Sequence, residues 1–387
     1  MRNQTFRAGA QASLATIAAL MMIGTAYGQA ASTTPEITAE MPAPAAAEPV
    51  ELTPELATSD DSGTIERSTP EMRAVIEKLM ELGAKPVHTL TVEAARAQPT
   101  PTDAVKAVLE DEGKSTAPEA VADVEDIMIP GAAGDLEARV YTPEGEGPFP
   151  VIVYFHGGGW VIADLDVYDA APRALANQAG AVVISVHYRQ GPEVKFPGAH
   201  EDAIAAYKYV IENAQTWNGD SERVAVAGES AGGNLALNVA IAARDQQLNA
   251  PEAILAVYPV AGADLNTPSY IENQNAVPLG KADIEWFVGN YLNSMDEAKD
   301  PRIDLVNADL SELPPVTIIG AEIDPLRSEG ETLETKLEAA GVDVTRELYT
   351  GVTHEFFGMA AQVPEAKEAQ GVAGERLRDA LSSEMVK

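Results

Sequence analysis

The sequence predicts an α/β fold, a mainly parallel sheet with helices on both faces. Two features carry that reading. Apolar, β-branched runs recur at 151–155, 182–186, 224–227, 253–257, 316–319 and 344–348, with helical patterns between them at 170–178, 203–213, 234–244, 282–291 and 331–340. The runs are apolar throughout rather than alternating, as in strands covered on both faces. Strand–helix alternation of this kind requires crossovers and hence parallel pairing.

The elements follow in chain order. Residues 1–28 have the form of a cleavable export signal. Arg2 and Arg7 precede an apolar stretch densest from 14 to 23, and a small-x-small site follows at Ala26-Tyr27-Gly28, with Gly28-Gln29-Ala30 as an alternative. That stretch is too short to span a bilayer comfortably, so no stable membrane insertion is expected, and the destination is the periplasm or the medium. Residues 29–69 are rich in Ala, Pro, Thr and Glu without periodicity, which predicts a disordered acidic tether. The folded domain is expected over 70–387. Met72, Val75, Ile76, Leu79, Met80 and Leu82 fall at helical spacing, and Gly83 marks a stop. A second helical stretch, 92–109, is interrupted by Pro99 and Pro101. Two short strands, 124–129 and 136–141, join through the turn-rich 130–134 and open the core at about residue 120.

Composition narrows the function. The chain has 387 residues, no cysteine, and 60 acidic against 26 basic residues, for a net charge of −34. The absence of cysteine excludes a thiolate nucleophile and cysteine-ligated metals. A field of that sign repels phosphate backbones, so a nucleic-acid partner is not expected.

In a parallel sheet, ligands bind where strands end, and three strand exits carry chemistry. Gly228-Glu229-Ser230-Ala231-Gly232 lies between a strand and a helix. There a G-x-S-x-G pentapeptide holds its serine in a tight, strained turn, with the helix N-terminus aimed at any forming anion. The bland alternative is a serine that merely caps the helix. His156-Gly157-Gly158-Gly159-Trp160 follows the first parallel strand. Three glycines expose bare backbone amides, so Gly157, Gly158 and Ala231 could surround an oxyanion formed by attack from Ser230. No Lys-Ser or Lys-Thr pair follows, which removes a phosphate loop.

A serine nucleophile needs an imidazole oriented by a carboxylate. Of five histidines, His88, His156, His187 and His200 lie elsewhere, and His354 follows a late strand, making it the candidate base. Asp324, ending the intervening strand, is the candidate partner, with Glu322 its rival. His200-Glu201 and His354-Glu355 begin an H-E-x-x-H pattern, but Ile204 and Gly358 stand where the second histidine belongs, so no metal is expected.

The motifs HGGGW at 156–160, YRQGPE at 188–193, GESAGGN at 228–234, DPLRSEG at 324–330 and HEFFGM at 354–359 resemble those of the bacterial hormone-sensitive-lipase-like esterases, a branch of the α/β-hydrolases. The likeness runs from about Pro70 to the C-terminus. It implies the α/β-hydrolase fold and cofactor-free hydrolysis of a small carboxylic ester through an acyl-enzyme. It also implies that 70–115 contributes a helical cap, joined by a segment near 282–291; a partial cap suits short to medium acyl chains. Four positions depart from the family pattern: Glu355 stands where glycine is frequent, Ser328 where aspartate is frequent, and Gln190-Gly191 where Leu-Ala is usual. Tyr188, Arg189, Pro192, Glu193 and Asp202 read as scaffold. Trp160, Trp286, Phe287, Phe356 and Phe357 are candidates for the substrate pocket. The same site could serve an amidase, lactonase or thioesterase, and a fold of this type can also be a non-catalytic binder.

Overall fold

The structure, a computed structural model, describes residues 63–382. The expected export signal and most of the tether lie outside the described residues.

Four helices come first: α1 (Thr64–Arg67), α2 (Pro70–Glu81), α3 (Val92–Ala97) and α4 (Pro101–Asp111). Proline at the first helical position and a threonine cap start both α2 and α4. Thr69 accepts from the Met72 amide, and Thr100 forms a reciprocal box with Asp103. The tether was expected to run to Thr69, and here the structure corrects the boundary. Thr64 and Ser68 are buried, Arg67 pairs with Glu272 and Asn273, and the Thr69 amide bonds Gly351 O. A one-turn polar helix has no periodicity to reveal it, so tertiary contacts define α1.

The core alternates as expected: β1 (Asp123–Gly131), β2 (Gly134–Thr142), β3 (Phe149–Phe155), α5 (Ala170–Ala179), β4 (Val182–His187), α6 (Gly198–Asn213), β5 (Gly219–Glu229), α7 (Ala231–Asp245), β6 (Ile254–Val257), α8 (Pro268–Glu272), α9 (Lys281–Tyr291), β7 (Val316–Ile323), α10 (Arg327–Ala339), β8 (Val344–Thr353) and α11 (Pro364–Ala380). The eight strands form one sheet in the order β1-β2-β4-β3-β5-β6-β7-β8. Strand β2 runs antiparallel to both neighbours, and β3 through β8 pair in parallel. This is the α/β-hydrolase fold.

Side-chain alternation along the strands builds two cores. Val151, Val153, Phe155, Val226, Ala256 and Ile318 pack on one face with α6 and α7, while Ile152, Tyr154, Ala227, Leu255 and Ile319 pack on the other with α2, α5 and α11. Both faces are dry, which is why the strands read as unbroken apolar runs. Chain direction reverses around β3: α5 leads to β4 on one side, and α6 returns to β5 on the other. The exits of β3 and β5 are therefore adjacent at a switch point, with Phe155 opposite Gly228. Among the described residues no helix is long and apolar enough to cross a membrane.

Candidate active site

Ser230 sits between β5 and α7 with φ 56° and ψ −116°. That conformation costs a non-glycine residue about 1–3 kcal/mol and persists only when its surroundings enforce it. Here they do. The Ser230 amide bonds Val257 O at 2.8 Å, and its carbonyl accepts from Asn234 N at 3.1 Å and Val260 N at 3.2 Å. The turn has no room for side chains on either flank: a Cβ on Gly232 would lie 1.9 Å from Phe155 O, and one on Gly228 would lie 2.2 Å from Gly232 O. The Ser230 side chain makes no capping bond to α7. The helix-cap alternative fails.

His354 follows β8 and is buried. Its Nδ1 lies 2.7 Å from Asp324 Oδ2, and Asp324 Oδ1 accepts from the Leu326 amide at 2.8 Å. The neutral ring therefore donates from Nδ1 and keeps Nε2 as its acceptor. Glu322, the rival carboxylate, instead accepts from the Gly351 amide. The Tyr258 ring, one residue beyond the carbonyl that holds Ser230, packs on the imidazole with centroids 4.4 Å apart. Burial opposes a charge on His354, but the charge of Asp324 and its hydrogen bond, then Glu355 and Glu229, outweigh it and raise its pKa.

The glycine loop is braced from behind. Tyr188 Oη donates to His156 O at 2.8 Å and Gly157 O at 3.1 Å, and His156 Nδ1 lies 2.8 Å from Gly157 O. In a trans peptide the carbonyl and the next amide point opposite ways. Carbonyls turned to Tyr188 therefore turn the Gly157 and Gly158 amides away from it. Neither amide donates any of the loop and turn hydrogen bonds. Gly158 has φ 89°, and a Cβ there would strike Ile162 O at 2.2 Å. His156 is itself a scaffold residue: burial, then the neighbouring His187, pushes its pKa down to about 3.

Other histidines are engaged away from Ser230. His187 Nδ1 bonds His156, His200 lies between Tyr291 Oη and Asn234 Oδ1, and His88 pairs with Asp283 on α9. Arg189 and Asp202 form a bidentate pair at 2.7 and 2.9 Å, and Glu193 receives Arg96, in keeping with a bracing role. Pro192 lies between those two anchors. Among the described residues no group of three or more acidic or histidine side chains could hold a metal ion.

The five aromatic candidates separate. Phe287 and Trp286 are half-buried on α9; a Cβ on Gly159 would lie 2.3 Å from the Phe287 ring, and Trp286 Nε1 bonds Leu90 O. Trp160 instead turns into the core and stacks on Tyr291. Phe356 and Phe357 are fully buried, Phe356 against Tyr258 and Tyr349. Sequence reasoning marked Glu355 as a carboxylate next to His354 in the chain, able to raise its pKa, but missed the carboxylate–phenol cluster to which it belongs. Glu229 accepts from Tyr154 and Tyr258, and Glu355 accepts from Tyr168. Burial, then Glu355, pushes the Glu229 pKa up to about 7. The motif GESAG displayed Glu229 but gave no sign of its distant partners.

A serine on a strained strand–helix elbow, a buried histidine–aspartate pair whose imidazole packs on Tyr258, and a glycine loop with unpaired amides define an α/β hydrolase site. Residues 152–358 match the family model described as alpha/beta hydrolase fold. Carboxylesterase NlhH of Mycobacterium tuberculosis is 40% identical over 254 residues, covering 64% of this chain and 79% of its own. Ethyl acetate hydrolase of Pseudomonas putida is 33% identical over 322 residues, covering 81% of this chain and 99% of its own. A hyperthermophilic esterase from the archaeon Pyrobaculum calidifontis superposes with a TM-score of 0.74 at 35% identity, covering 82% of this chain and 100% of the other. The chain belongs to the hormone-sensitive-lipase-like bacterial esterases.

Proposed function

We propose that this carboxylic ester hydrolase cleaves small esters of short or medium acyl chain through an acyl-enzyme on Ser230. His354 Nε2 takes the hydroxyl proton as Oγ attacks the carbonyl carbon. The amides of Gly157, Gly158 and Ala231 then hold the negative oxygen, each donor being worth about 3 kcal/mol in related sites. Collapse of the tetrahedral species expels the alcohol, which takes its proton from His354. Water repeats the cycle on the acyl carbonyl and restores Ser230. Asp324 fixes the imidazole tautomer and stabilises its charge. The observation that carries this reading is the 2.7 Å His354–Asp324 bond, taken together with a serine held in a strained turn at a strand exit of the same sheet.

Residues of the N-terminal helices and α9 serve as the cap. Arg96 reaches Val161 O and Gly191 O, and Thr102 reaches Val167 O, so the helices lean on the loops around the glycine motif. Phe287 over Gly159 narrows the approach, which supports modest acyl length. The pattern of Arg2, Arg7 and the following apolar stretch supports export to the periplasm or medium. Ethyl acetate hydrolysis, the activity named for the Pseudomonas putida relative, is a fitting first substrate to try.

The test is pH-stat turnover across a panel of esters graded by acyl length, with anilide, lactone and thioester members. Highest kcat/KM on short or medium esters is expected. A preference for anilides or lactones, or strong turnover of long-chain emulsions, would overturn the substrate assignment.

A further inference from the structure

Glu355 occupies an uncomfortable place. Its φ of 74° is in the left-handed region, which glycine adopts more readily. It caps no helix with its side chain, which is only 22% exposed. Among the ion pairs of the described residues its one cationic partner is His354, with Oε1 3.9 Å from Nε2. Both carboxylate oxygens lie 2.7 Å from Tyr168 Oη, which donates. That same hydroxyl sits 2.2 Å from where a Cβ on Gly157 would fall. One side chain thus reaches the imidazole directly and the glycine loop through a single phenol.

We propose that Glu355 is a positioning residue for His354: its carboxylate steadies the imidazolium from the Nε2 side and, through Tyr168, ties the histidine loop to the glycine loop. This rests on the reading of Ser230, His354 and Asp324 given above. During attack the proton passes from Ser230 Oγ to Nε2 and then to the departing alkoxide; Glu355 takes none. While the ring is charged, it is flanked by Asp324 at Nδ1 and Glu355 near Nε2.

Groups from every neighbouring element share this field. Asp324 comes from the end of β7, Glu229 from the end of β5, Tyr258 from the exit of β6, Tyr154 from β3 and Tyr168 from the loop before α5. Tyr154 and Tyr258 donate to Glu229, so Glu355 is the acid whose hydrogen bonding leads to the glycine loop. Burial raises the Glu355 pKa despite the attraction of His354 and the bond from Tyr168. A glycine would relieve both the strained backbone and the desolvation.

The sign is definite. A negative charge beside Nε2 favours the protonated ring, so the base loses its neutral form at a higher pH than it otherwise would. E355Q keeps the shape and removes the charge. Its kcat/KM profile on a neutral ester, followed by pH-stat, should keep activity about one pH unit further into acid. E355D, which retains the charge, should leave the acid limb near the wild-type position. Y168F should lower kcat through the glycine loop with little change in KM. A merely structural role for Glu355 predicts loss at every pH with the limb unmoved. An unmoved limb in folded E355Q, or equal shifts in E355Q and E355D, overturns the proposal. Should E355Q not fold, E355G, suited to that φ, carries the same test. A wild type that turns over no ester refutes the function reading; an active wild type with an unmoved E355Q limb refutes only this one.

Discussion

The floor of the site and the segment above it are held by different forces. On the floor, Ser230, Asp324 and His354 are buried at the ends of hydrogen-bonded strands. Their geometry follows from two packed cores and a switch in strand order. Above them, α9 buries Ile284 and Tyr291, but α3 and the residues just before it are joined to α9 and to the loops around the glycine motif by a few polar clips. Arg96 grips Glu193 and two carbonyls, Trp286 bonds Leu90 O, and His88 meets Asp283. Exposed ion pairs of this kind contribute about 0–1 kcal/mol each. The difference teaches that the residues proposed for the chemistry are anchored where distortion is costly, whereas part of the hold on the proposed cap is cheap to break.

Changes on the floor should therefore be catastrophic for rate and mild for folding, and changes to the clips above it should act modestly and on KM more than on kcat. The largest effect is expected for S230A. Turnover should fall by roughly four to six orders of magnitude, with little change in melting temperature, because Oγ makes no capping bond. Next comes G157A. The added carbon meets Tyr168 Oη and should displace an amide donor, lowering kcat by about 10²–10³. A loss under threefold would show that this amide is no part of the anion cradle.

The pH profile sharpens the comparison further. Because Asp324, with Glu355 and Glu229, outweighs burial and raises the pKa of His354, its neutral imidazole predominates only above that raised value. Activity should fall with acidification along a limb centred above the ordinary imidazole value of about 6.5. A limb near pH 5 would mean that the buried pair does not control the base. The smallest effect is expected for R96A, a severalfold rise in KM with kcat within about twofold. A hundredfold loss of kcat there would erase the distinction between floor and clip.

Much of the floor was legible in the sequence. Strands dry on both faces left unbroken β-branched runs, and the strand-exit rule then pointed to Ser230, Asp324 and His354 as candidates, of which the structure pairs Asp324 with His354 and holds Ser230 in a strained turn. Exact ends were less visible. Strand β7 runs on to Ile323 and β8 to Thr353, beyond their apolar runs, because pairing continues through polar residues. Short elements such as α1 and α8 carry no periodic signal and depend on contacts far along the chain. The rival carboxylate Glu322 was separated from Asp324 by direction: it turns to the Gly351 amide. Trp160, Phe356 and Phe357 looked like pocket residues by motif proximity, yet lie in the cores. The link from Tyr168 to Glu355 spans 187 residues, and no local pattern announces it.

Reaction with a serine-directed fluorophosphonate, mapped by peptide mass spectrometry, tests the nucleophile assignment most directly. A single adduct on the peptide bearing Ser230, lost in S230A, is the predicted result. An adduct elsewhere, or ester turnover that persists undiminished in S230A, would contradict it.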